Sequence, residues 1–452
     1  MRVMFKNKNN KILVLSPTRL IVSSFAVIIL AGTMLLNLPI ASNDGKSIGF
    51  FNALFTAASA SCVTGLVIAD TLTQWSLFGQ LVILSLIQIG GLGLATLATF
   101  FSVILGRKVA LREMIVAKES INYFTFEGVA KLIKNVVIAT FIIELTGALL
   151  LSISFVPRFG AGGFYMGVFH AISAFCNAGF DIMGGYKSLT EYNNNPLVLY
   201  TIACLIIIGG LGFMVWKDLY EYRKNKSLYL HTKVVLALSL TLIIFGAVFF
   251  LFFEHNNPAT MGNLTPSEKI NSAIFHSVST RTAGYNSLPL NDMKDISKVA
   301  TIILMFIGAA PGSTGGGVKV TTFGVILMAI ISQIKGSPET IFFKRRVPYY
   351  IVSKALSIIG LSTMLVVTIT TILLAIEVDG FINILYEVTS AFGTVGLSTG
   401  ITPTLHNVSK ALLVLTMFLG RVGPLTFAIA LTLRSSKKNS SVVYPEGKIV
   451  VG

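Results

Sequence analysis

The segment Phe55-Thr-Ala-Ala-Ser-Ala-Ser-Cys-Val-Thr-Gly65 begins with an aromatic residue, continues through small residues and ends in a glycine. Three related segments follow, and the successive end glycines are 114, 105 and 112 residues apart. The related segments are Phe169-His-Ala-Ile-Ser-Ala-Phe-Cys-Asn-Ala-Gly179, Phe275-His-Ser-Val-Ser-Thr-Arg-Thr-Ala-Gly284 and Tyr386-Glu-Val-Thr-Ser-Ala-Phe-Gly-Thr-Val-Gly396. Recurrence at near-constant intervals is typical of a fold built from repeated units. We therefore expect one structural unit to occur four times.

A second motif, rich in glycine, follows each segment after 25, 30, 24 and 24 residues. The four motifs are Ile89-Gly-Gly-Leu-Gly93, Ile208-Gly-Gly-Leu-Gly212, Ile307-Gly-Ala-Ala-Pro-Gly312 and Leu419-Gly-Arg-Val-Gly423. Each motif lies midway along an apolar stretch, and a longer apolar stretch opens each unit, at residues 20–38, 136–156, 234–253 and 356–376. A helix needs about 20 apolar residues to cross a bilayer. The predicted unit is a membrane span, a short re-entrant segment and a second span.

These landmarks divide the chain into units at residues 20–117, 118–225, 226–335 and 336–434, with tails at residues 1–19 and 435–452. Hydrophobic residues make up 54% of the chain and charged residues 12%, compared with about 25% charge in soluble domains. The predicted fold class is all-α integral membrane, with eight transmembrane helices. Its four tandem helix–pore loop–helix repeats are expected to surround one central pore, as in a potassium channel.

The basic excess of the chain follows this topology. Of the 35 Lys and Arg residues, 25 lie in the tails and alternate connections, and seven lie in the intervening connections. Because connections rich in Lys and Arg stay on the cytoplasmic side, both termini are predicted to be cytoplasmic. The net charge of +16 thus reflects topology, and we expect no nucleic acid partner. The three cysteines, Cys62, Cys176 and Cys204, have neither disulfide nor metal-ligand spacing.

The short segments are too short to cross a bilayer as helices and too apolar for exposed loops. A helix that enters the membrane, followed by extended backbone that leaves it, satisfies both constraints. Non-helical backbone at that depth is tolerated where it lines a cavity or is buried in protein. Four such segments around one axis would present a ring of carbonyl oxygens to a cation. A single glycine in such a segment is more typical of helix packing than of a carbonyl ring, but four equivalent glycines favour the ring.

At these motifs the chain resembles the Trk/Ktr/HKT superfamily of potassium transporters, over residues 16–452. The resemblance implies potassium as the transported ion, bound by backbone carbonyls of a selectivity filter, and it leaves open whether sodium is an activator or a co-ion. Glycine at all four end positions favours potassium within the superfamily. The implied filter residues are Cys62, Val63, Thr64, Gly65, Cys176, Asn177, Ala178, Gly179, Thr282, Ala283, Gly284, Gly393, Thr394, Val395 and Gly396.

The start and the short C-terminal tail resemble the Ktr-type membrane subunit of this superfamily. That resemblance implies a homodimer in the plasma membrane of a bacterium, surrounded by lipid, in which each chain carries its own pore. It also implies a cytoplasmic ring of nucleotide-binding regulatory subunits of the RCK/KTN type. No soluble regulatory domain is predicted within this chain.

A gate is expected below the filter. Residues 308–319 hold five glycines and a proline inside an apolar span, which predicts a flexible intramembrane loop because these residues break a helix. Arg421 replaces the second glycine of the first two motifs, so its charge either enters the ion path or caps carbonyls of a broken helix. The resemblance implies a gate formed by Arg421 with the loop residues Gly312, Ser313, Thr314, Gly315, Gly316, Gly317 and Lys319.

Other charged residues at membrane depth are functional candidates. Arg281 is expected behind the filter, and Glu144 is expected to be a paired or a neutral structural carboxylate. Asp70 and Asp181 follow the first two filters, either as acids of an outer mouth or as ordinary loop acids. Lys319 is expected either against a carboxylate or in cytoplasmic water.

Two other functions are weaker. A secondary cation transporter with a midplane site usually carries two repeats rather than four. An intramembrane enzyme is not expected, because no Ser/His, His-Glu-x-x-His or paired-aspartate arrangement stands at membrane depth.

Overall fold

The computed structural model describes residues 3–6, 12–15, 17–104, 115, 129–337 and 339–432. The predicted tail at residues 435–452 lies outside the described residues, as do parts of the first tail and of the first two units. The described chain is mostly helical. Its helices are α1 Pro17–Leu36, α2 Phe50–Ser61, α3 Thr71–Gln74, α4 Leu77–Leu92, α5 Leu94–Ile104, α6 Val129–Phe159, α7 Gly162–Phe175, α8 Pro196–Leu211, α9 Phe213–Asn225, α10 Leu230–Glu254, α11 Pro266–Ser279, α12 Asp295–Phe306, α13 Val320–Ile334, α14 Tyr349–Ile376, α15 Phe381–Gly393, α16 Asn407–Val422 and α17 Pro424–Thr432.

Short 3₁₀ turns lie at Pro39–Ala41, Thr190–Tyr192, Leu290–Asp292 and Thr402–Thr404. Two antiparallel hairpins complete the secondary structure. The first pairs β1 Val3–Lys6 with β2 Ile12–Leu15, and the second pairs β3 Thr340–Phe342 with β4 Arg345–Val347.

Helices α1, α6, α10 and α14 are long and apolar enough to cross a membrane, and less than half of each hydrophobic window is buried inside the protein. Two bent pairs, α4 with α5 and α8 with α9, turn by 90° and 93° at their breaks. Within the described residues the chain thus has four such spans, or up to six if each bent pair is one span. The eight-span, four-repeat arrangement stays a prediction.

The four recurring segments form the short helices α2, α7, α11 and α15, of 12 to 14 residues. At 1.5 Å per residue these helices are about 18–21 Å long, which is too short to cross a hydrocarbon core of about 30 Å. Helix α11 begins with a capping box, in which Thr265 N–H donates to Glu268 Oε2 at 2.8 Å. The equivalent aromatic residues are fully or almost fully buried, namely Phe55, Phe169, Phe275 and Tyr386.

The second helix of each unit breaks at its glycine motif. Gly93, Gly212 and Gly423 end α4, α8 and α16 with φ angles of 81°, 89° and 92°. These left-handed angles favour glycine because a side chain there meets the backbone. Helix α12 ends at Phe306, and its continuation α13 begins only after the loop at Val320. The sequence predicts the interruption in the third unit, whereas the structure has a break in all four.

In three of the four motifs, the first glycine packs against the C-terminal end of a short helix. A Cβ atom at Gly90, Gly209 or Gly420 would overlap the carbonyl oxygen of Ser61, Phe175 or Phe392, respectively. Close helix packing therefore explains these glycines. It also fixes each broken helix directly against a recurring segment.

Candidate functional site

The four end glycines form a closed ring of contacts. A Cβ atom at Gly179 would lie 2.8 Å from Ala283 O, and one at Gly284 would lie 2.5 Å from Val395 O. In the same sense, a Cβ at Gly65 would overlap Ala178 O, and a Cβ at Gly396 would overlap Thr64 O. Each glycine thus meets the residue before the next glycine, in chain order, until the last meets the first. No side chain fits at any of the four positions.

The ring is made from four equivalent three-residue pieces, which we call the ring segments: residues 63–65, 177–179, 282–284 and 394–396. Every glycine has a positive φ, between 68° and 91°. The first residue of every segment also has a positive φ although none is glycine: Val63 at 58°, Asn177 at 58°, Thr282 at 70° and Thr394 at 49°. Left-handed backbone is uncommon outside glycine and concentrates at functional sites.

Backbone N–H groups of the ring segments are held by the short helices that precede them. The middle residues donate to serine carbonyls one helix turn back, as Thr64 N–H to Ser59 O at 2.8 Å, Ala178 N–H to Ser173 O at 2.8 Å and Val395 N–H to Ser390 O at 2.9 Å. Serine hydroxyls then accept from two of the glycines, Gly65 at 3.1 Å and Gly396 at 3.0 Å. The N–H groups are thereby directed toward the helices.

The carbonyl groups of the ring segments have no such partners. All twelve residues are buried, and within the described part of the chain none of their carbonyl oxygens accepts a hydrogen bond. Buried carbonyls are normally paired, so a set without partners requires an explanation. A concentration of free carbonyl oxygens is the chemistry that replaces the hydration shell of a potassium ion.

Three predicted filter residues lie just outside the ring. Cys62 and Cys176 end α2 and α7, where their N–H groups donate to Ala58 O at 2.8 Å and Ile172 O at 2.9 Å. Gly393 is the last residue of α15. The structure brings the other twelve predicted filter residues together in the ring segments.

The loop of residues 308–319 is folded into the protein beneath the ring. Gly308 N–H donates to Val318 O at 2.8 Å, which closes the loop at its base. Ala310 N–H donates to Gly210 O at 3.0 Å, and Gly317 N–H donates to Gly420 O at 3.3 Å. The loop is therefore held to the broken helices of the second and fourth units.

Arg421 joins the loop to the first unit. Its guanidinium donates to the carbonyl oxygens of Thr314 and Gly90, and to Gly91 O at 3.3 Å. Gly90 and Gly91 precede the break at Gly93, so Arg421 caps a broken helix, and it also crosses to the loop. The structure thus has the carbonyl-capping arrangement, and entry of the Arg421 charge into the ion path stays a prediction.

Within the described residues no carboxylate forms an ion pair with Lys319, and the residue is only partly buried, so its contact with cytoplasmic water stays a prediction. Its ammonium donates to Gly315 O at 2.6 Å and to Gly316 O at 3.3 Å. The carbonyls of its own loop thus take the place of the expected carboxylate. The reason is geometric, because the loop turns back over Lys319 and directs two carbonyls at it. All seven loop residues predicted for the gate lie in this region.

Arg281 lies behind the ring, as expected. Its guanidinium donates to Ser239 O at 3.2 Å and to Ser239 Oγ at 3.1 Å, and only 9% of the residue is exposed.

Glu144 accepts from Gln88 Nε2 at 3.1 and 3.3 Å. Gln88 was missed by sequence reasoning, and its signal was an amide in the middle of the apolar helix α4.

Two acids tie down the connections that follow the first two ring segments. Asp70 caps α3 by accepting from Thr73 N–H at 2.9 Å, and it also accepts from Tyr186 N–H at 3.1 Å. Asp181, which lies in the connection between α7 and α8, accepts from Met183 N–H at 3.0 Å. Burial, with the charge of Asp70, raises the pKa of Asp181 to about 6.

Sequence reasoning also missed Glu387, which is fully buried inside α15. Its Oε1 accepts from Ser398 Oγ and from Thr402 Oγ1, the latter at 3.1 Å. The signal was a carboxylate at the position that carries Thr56, His170 and His276 in the other segments.

Comparisons with known proteins show the family to which the chain is related. The family model described as "TrkH: Cation transport protein" matches residues 3–442. The chain is 41% identical to the "Ktr system potassium uptake protein B" of Bacillus subtilis, covering 99% of both chains. It is 39% identical to the "Potassium/sodium uptake protein NtpJ" of Enterococcus hirae, covering 97% of this chain and 98% of the relative.

The fold is similar to the crystal structure of the potassium transporter TrkH from Vibrio parahaemolyticus. The TM-score is 0.70 at 17% sequence identity, with 91% of this chain and 85% of that chain covered. The apolar helices and the bacterial relatives identify a multi-pass protein of the plasma membrane. The resemblance to the superfamily is confirmed, and members of this family are transporters rather than enzymes. The chain belongs to the TrkH family of cation transport proteins.

Proposed function

We propose that the chain is the potassium-conducting subunit of a Ktr-type uptake system, with four helix–pore loop–helix units around one pore. The observation that carries this proposal is the closed ring of four segments whose buried carbonyls have no hydrogen-bond partners in the described residues. A potassium ion exchanges its hydration water for these oxygens. The ends of α2, α7, α11 and α15 precede the ring, so their negative C-terminal dipoles favour a cation there.

Conduction is controlled below the ring. The loop of residues 308–319 and Arg421 close the path, because the guanidinium repels a cation and holds the loop to the first unit. Opening requires the loop to leave these carbonyls. Inward flux is then driven by the membrane potential, which contributes about 2.3 kcal/mol per charge for each 100 mV.

Potassium is the proposed ion because the ring has glycine at all four end positions and because the relatives are named for potassium or potassium/sodium uptake. Sodium is proposed as an activator or a co-ion. Uptake measured with and without external sodium, together with sodium flux, distinguishes the two roles.

The working assembly is proposed to be a homodimer in lipid, with a cytoplasmic nucleotide-binding ring of the RCK/KTN type and no nucleic acid partner. The word "system" in the name of the Bacillus subtilis relative supports a second component. The proposed topology, with both termini cytoplasmic, places the basic connections on the same side of the membrane as these regulatory subunits.

The test is rubidium uptake in bacteria that lack their own potassium importers, with a regulatory subunit supplied. Gly396→Ser places a side chain against Thr64 O and 2.9 Å from Gly65 Cα, so discrimination between rubidium and sodium should fall at least about tenfold, which corresponds to about 1.4 kcal/mol. Gly400→Ser is the matched control, because Gly400 has a similar φ of 95° but open space around it.

Rescue by wild-type protein and by Gly400→Ser, with altered selectivity in Gly396→Ser, supports the proposal. Absence of wild-type uptake removes the potassium assignment. Unchanged selectivity in Gly396→Ser leaves transport in place and removes the ring as its filter.

A further inference from the structure

The Asn177 side chain connects two ring segments to the loop below them. Its amide lies 3.0 Å from Thr282 Oγ1 and 3.2 Å from Thr314 Oγ1. With the amide nitrogen facing Phe175 O, Ile206 O and Thr314 Oγ1, each at 3.2 Å, and the oxygen accepting from Thr282 Oγ1, both ends of the amide are satisfied. Asn177, Thr282 and Thr314 are completely buried.

Thr314 is the point at which these contacts meet the gate. Its hydroxyl lies 3.2 Å from both the Asn177 amide nitrogen and Phe175 O, and its N–H donates to Gly209 O at 3.3 Å. On the other side, its carbonyl accepts from Arg421. One residue of the loop thus contacts a ring segment through its side chain and the gating arginine through its backbone.

The neighbouring loop residues repeat the pattern. Gly316 N–H donates to Thr394 Oγ1 at 3.0 Å, and a Cβ atom at Gly315 would overlap Thr282 Oγ1. The loop therefore contacts the first residue of the second, third and fourth ring segments. These are the non-glycine residues with left-handed backbone, whose conformation needs support from their surroundings.

We infer that Asn177 and Thr314 are positioning residues that couple the ring to the gate. Their contact holds the ring segments in the conformation that binds potassium and holds the loop closed. The inference rests on the proposed function. Because coupling between two sites is reciprocal, a potassium ion in the ring favours the closed loop, and opening of the loop weakens ion binding.

The hydroxyl of Thr314 makes this coupling testable with a small change. Thr314→Val keeps the shape of the side chain and removes its hydrogen bonds. We expect the KM for rubidium uptake to rise about fivefold, with a maximal rate above that of the wild type, because one hydrogen bond contributes to both ring and gate. Thr314→Ser restores the hydroxyl and should return both parameters toward wild-type values.

Thr416→Val is the matched control. Thr416 is also completely buried, but its hydroxyl donates to Leu412 O at 2.8 Å within its own helix, α16. Loss of general stability would affect both valine variants. A rise in KM together with maximal rate in Thr314→Val alone identifies the coupling.

A second measurement does not depend on flux. Potassium should raise the Tm of the purified full-length protein, since a ligand that binds the folded state stabilises it. We expect this potassium-dependent shift to become smaller in Thr314→Val and in Asn177→Leu, and to stay unchanged in Thr416→Val.

The inference is overturned if Thr314→Val transports with wild-type KM and rate, or if its potassium-dependent Tm shift equals that of the wild type. A fall in maximal rate that serine does not restore would equally contradict it. Failure of the proposed function looks different, because the wild type itself would then neither take up rubidium nor gain stability from potassium.

Discussion

At the scale of single residues, two cationic side chains bind backbone carbonyls where regular helix is interrupted. Arg421 and Lys319 both donate to carbonyl oxygens of glycine residues rather than to carboxylates. Such arrangements satisfy charge in an apolar surrounding, where an unpaired ion is costly. In the proposed gate these contacts are removable, because a carbonyl can exchange one donor for another.

Removal of Arg421 should therefore open the gate. Arg421→Ala removes the repulsive charge and three hydrogen bonds at once. Since one charged hydrogen bond contributes about 1.5–3 kcal/mol and about 1.4 kcal/mol corresponds to a factor of ten, we expect rubidium uptake to rise by at least about tenfold. Arg421→Lys keeps the charge without the bidentate geometry and should give an intermediate rate. Equal or slower uptake in the alanine variant would contradict the gate.

The hypothesis that Asp70 and Asp181 lie at an outer mouth predicts a pH dependence. The pKa of Asp181 is raised to about 6, so its carboxylate is charged above that pH and becomes neutral as the external pH falls through it. Negative charge at a pore mouth concentrates cations. Uptake should therefore decline between about pH 7 and pH 5 in the wild type, and Asp181→Asn should give a low, flat profile over that window.

Asp70 supplies the control for this effect. Its charge contributes to the raised pKa of Asp181, so Asp70→Asn should move the midpoint to lower pH. A wild-type profile that persists in Asp181→Asn would assign the pH dependence to another group.

At the scale of elements, the broken second helices are the feature that sequence reasoning could predict only in part. The proline and five glycines of the third unit predict a loop, whereas each of the other three breaks occurs at a single glycine. A glycine within an apolar stretch is compatible with a continuous helix, so its φ of about 80–90° becomes evident only in the folded chain.

Gly212 tests the importance of these breaks. A Cβ there would lie 2.6 Å from Pro311 O, and the positive φ of Gly212 is unfavourable for alanine. Gly212→Ala should therefore lower the free energy of unfolding by at least about 1–2 kcal/mol and lower the Tm. Gly360→Ala, inside α14 with open space around it, should leave stability unchanged or raise it. Equal effects of the two substitutions would exclude a special role for the break.

At the scale of the whole molecule, four similar segments form one site because they pack backbone against backbone. At each end glycine, a neighbouring segment occupies the space that a side chain would need. Repetition and composition predict the four segments and the loop, and the family resemblance implies all twelve residues of the ring segments. Contacts such as Gln88 with Glu144, or Asn177 with Thr314, join distant units. No local pattern relates their side chains, so they emerge only from the packing of one unit against another.

The most direct test locates the ion itself. A structure of the protein in rubidium, solved with anomalous scattering, should show rubidium among the carbonyl oxygens of residues 63–65, 177–179, 282–284 and 394–396. The ion should disappear in Gly396→Ser and persist in Gly400→Ser. Rubidium bound instead at the buried carboxylates Glu144 or Glu387, with the ring empty, would contradict the claim that backbone carbonyls select the transported cation.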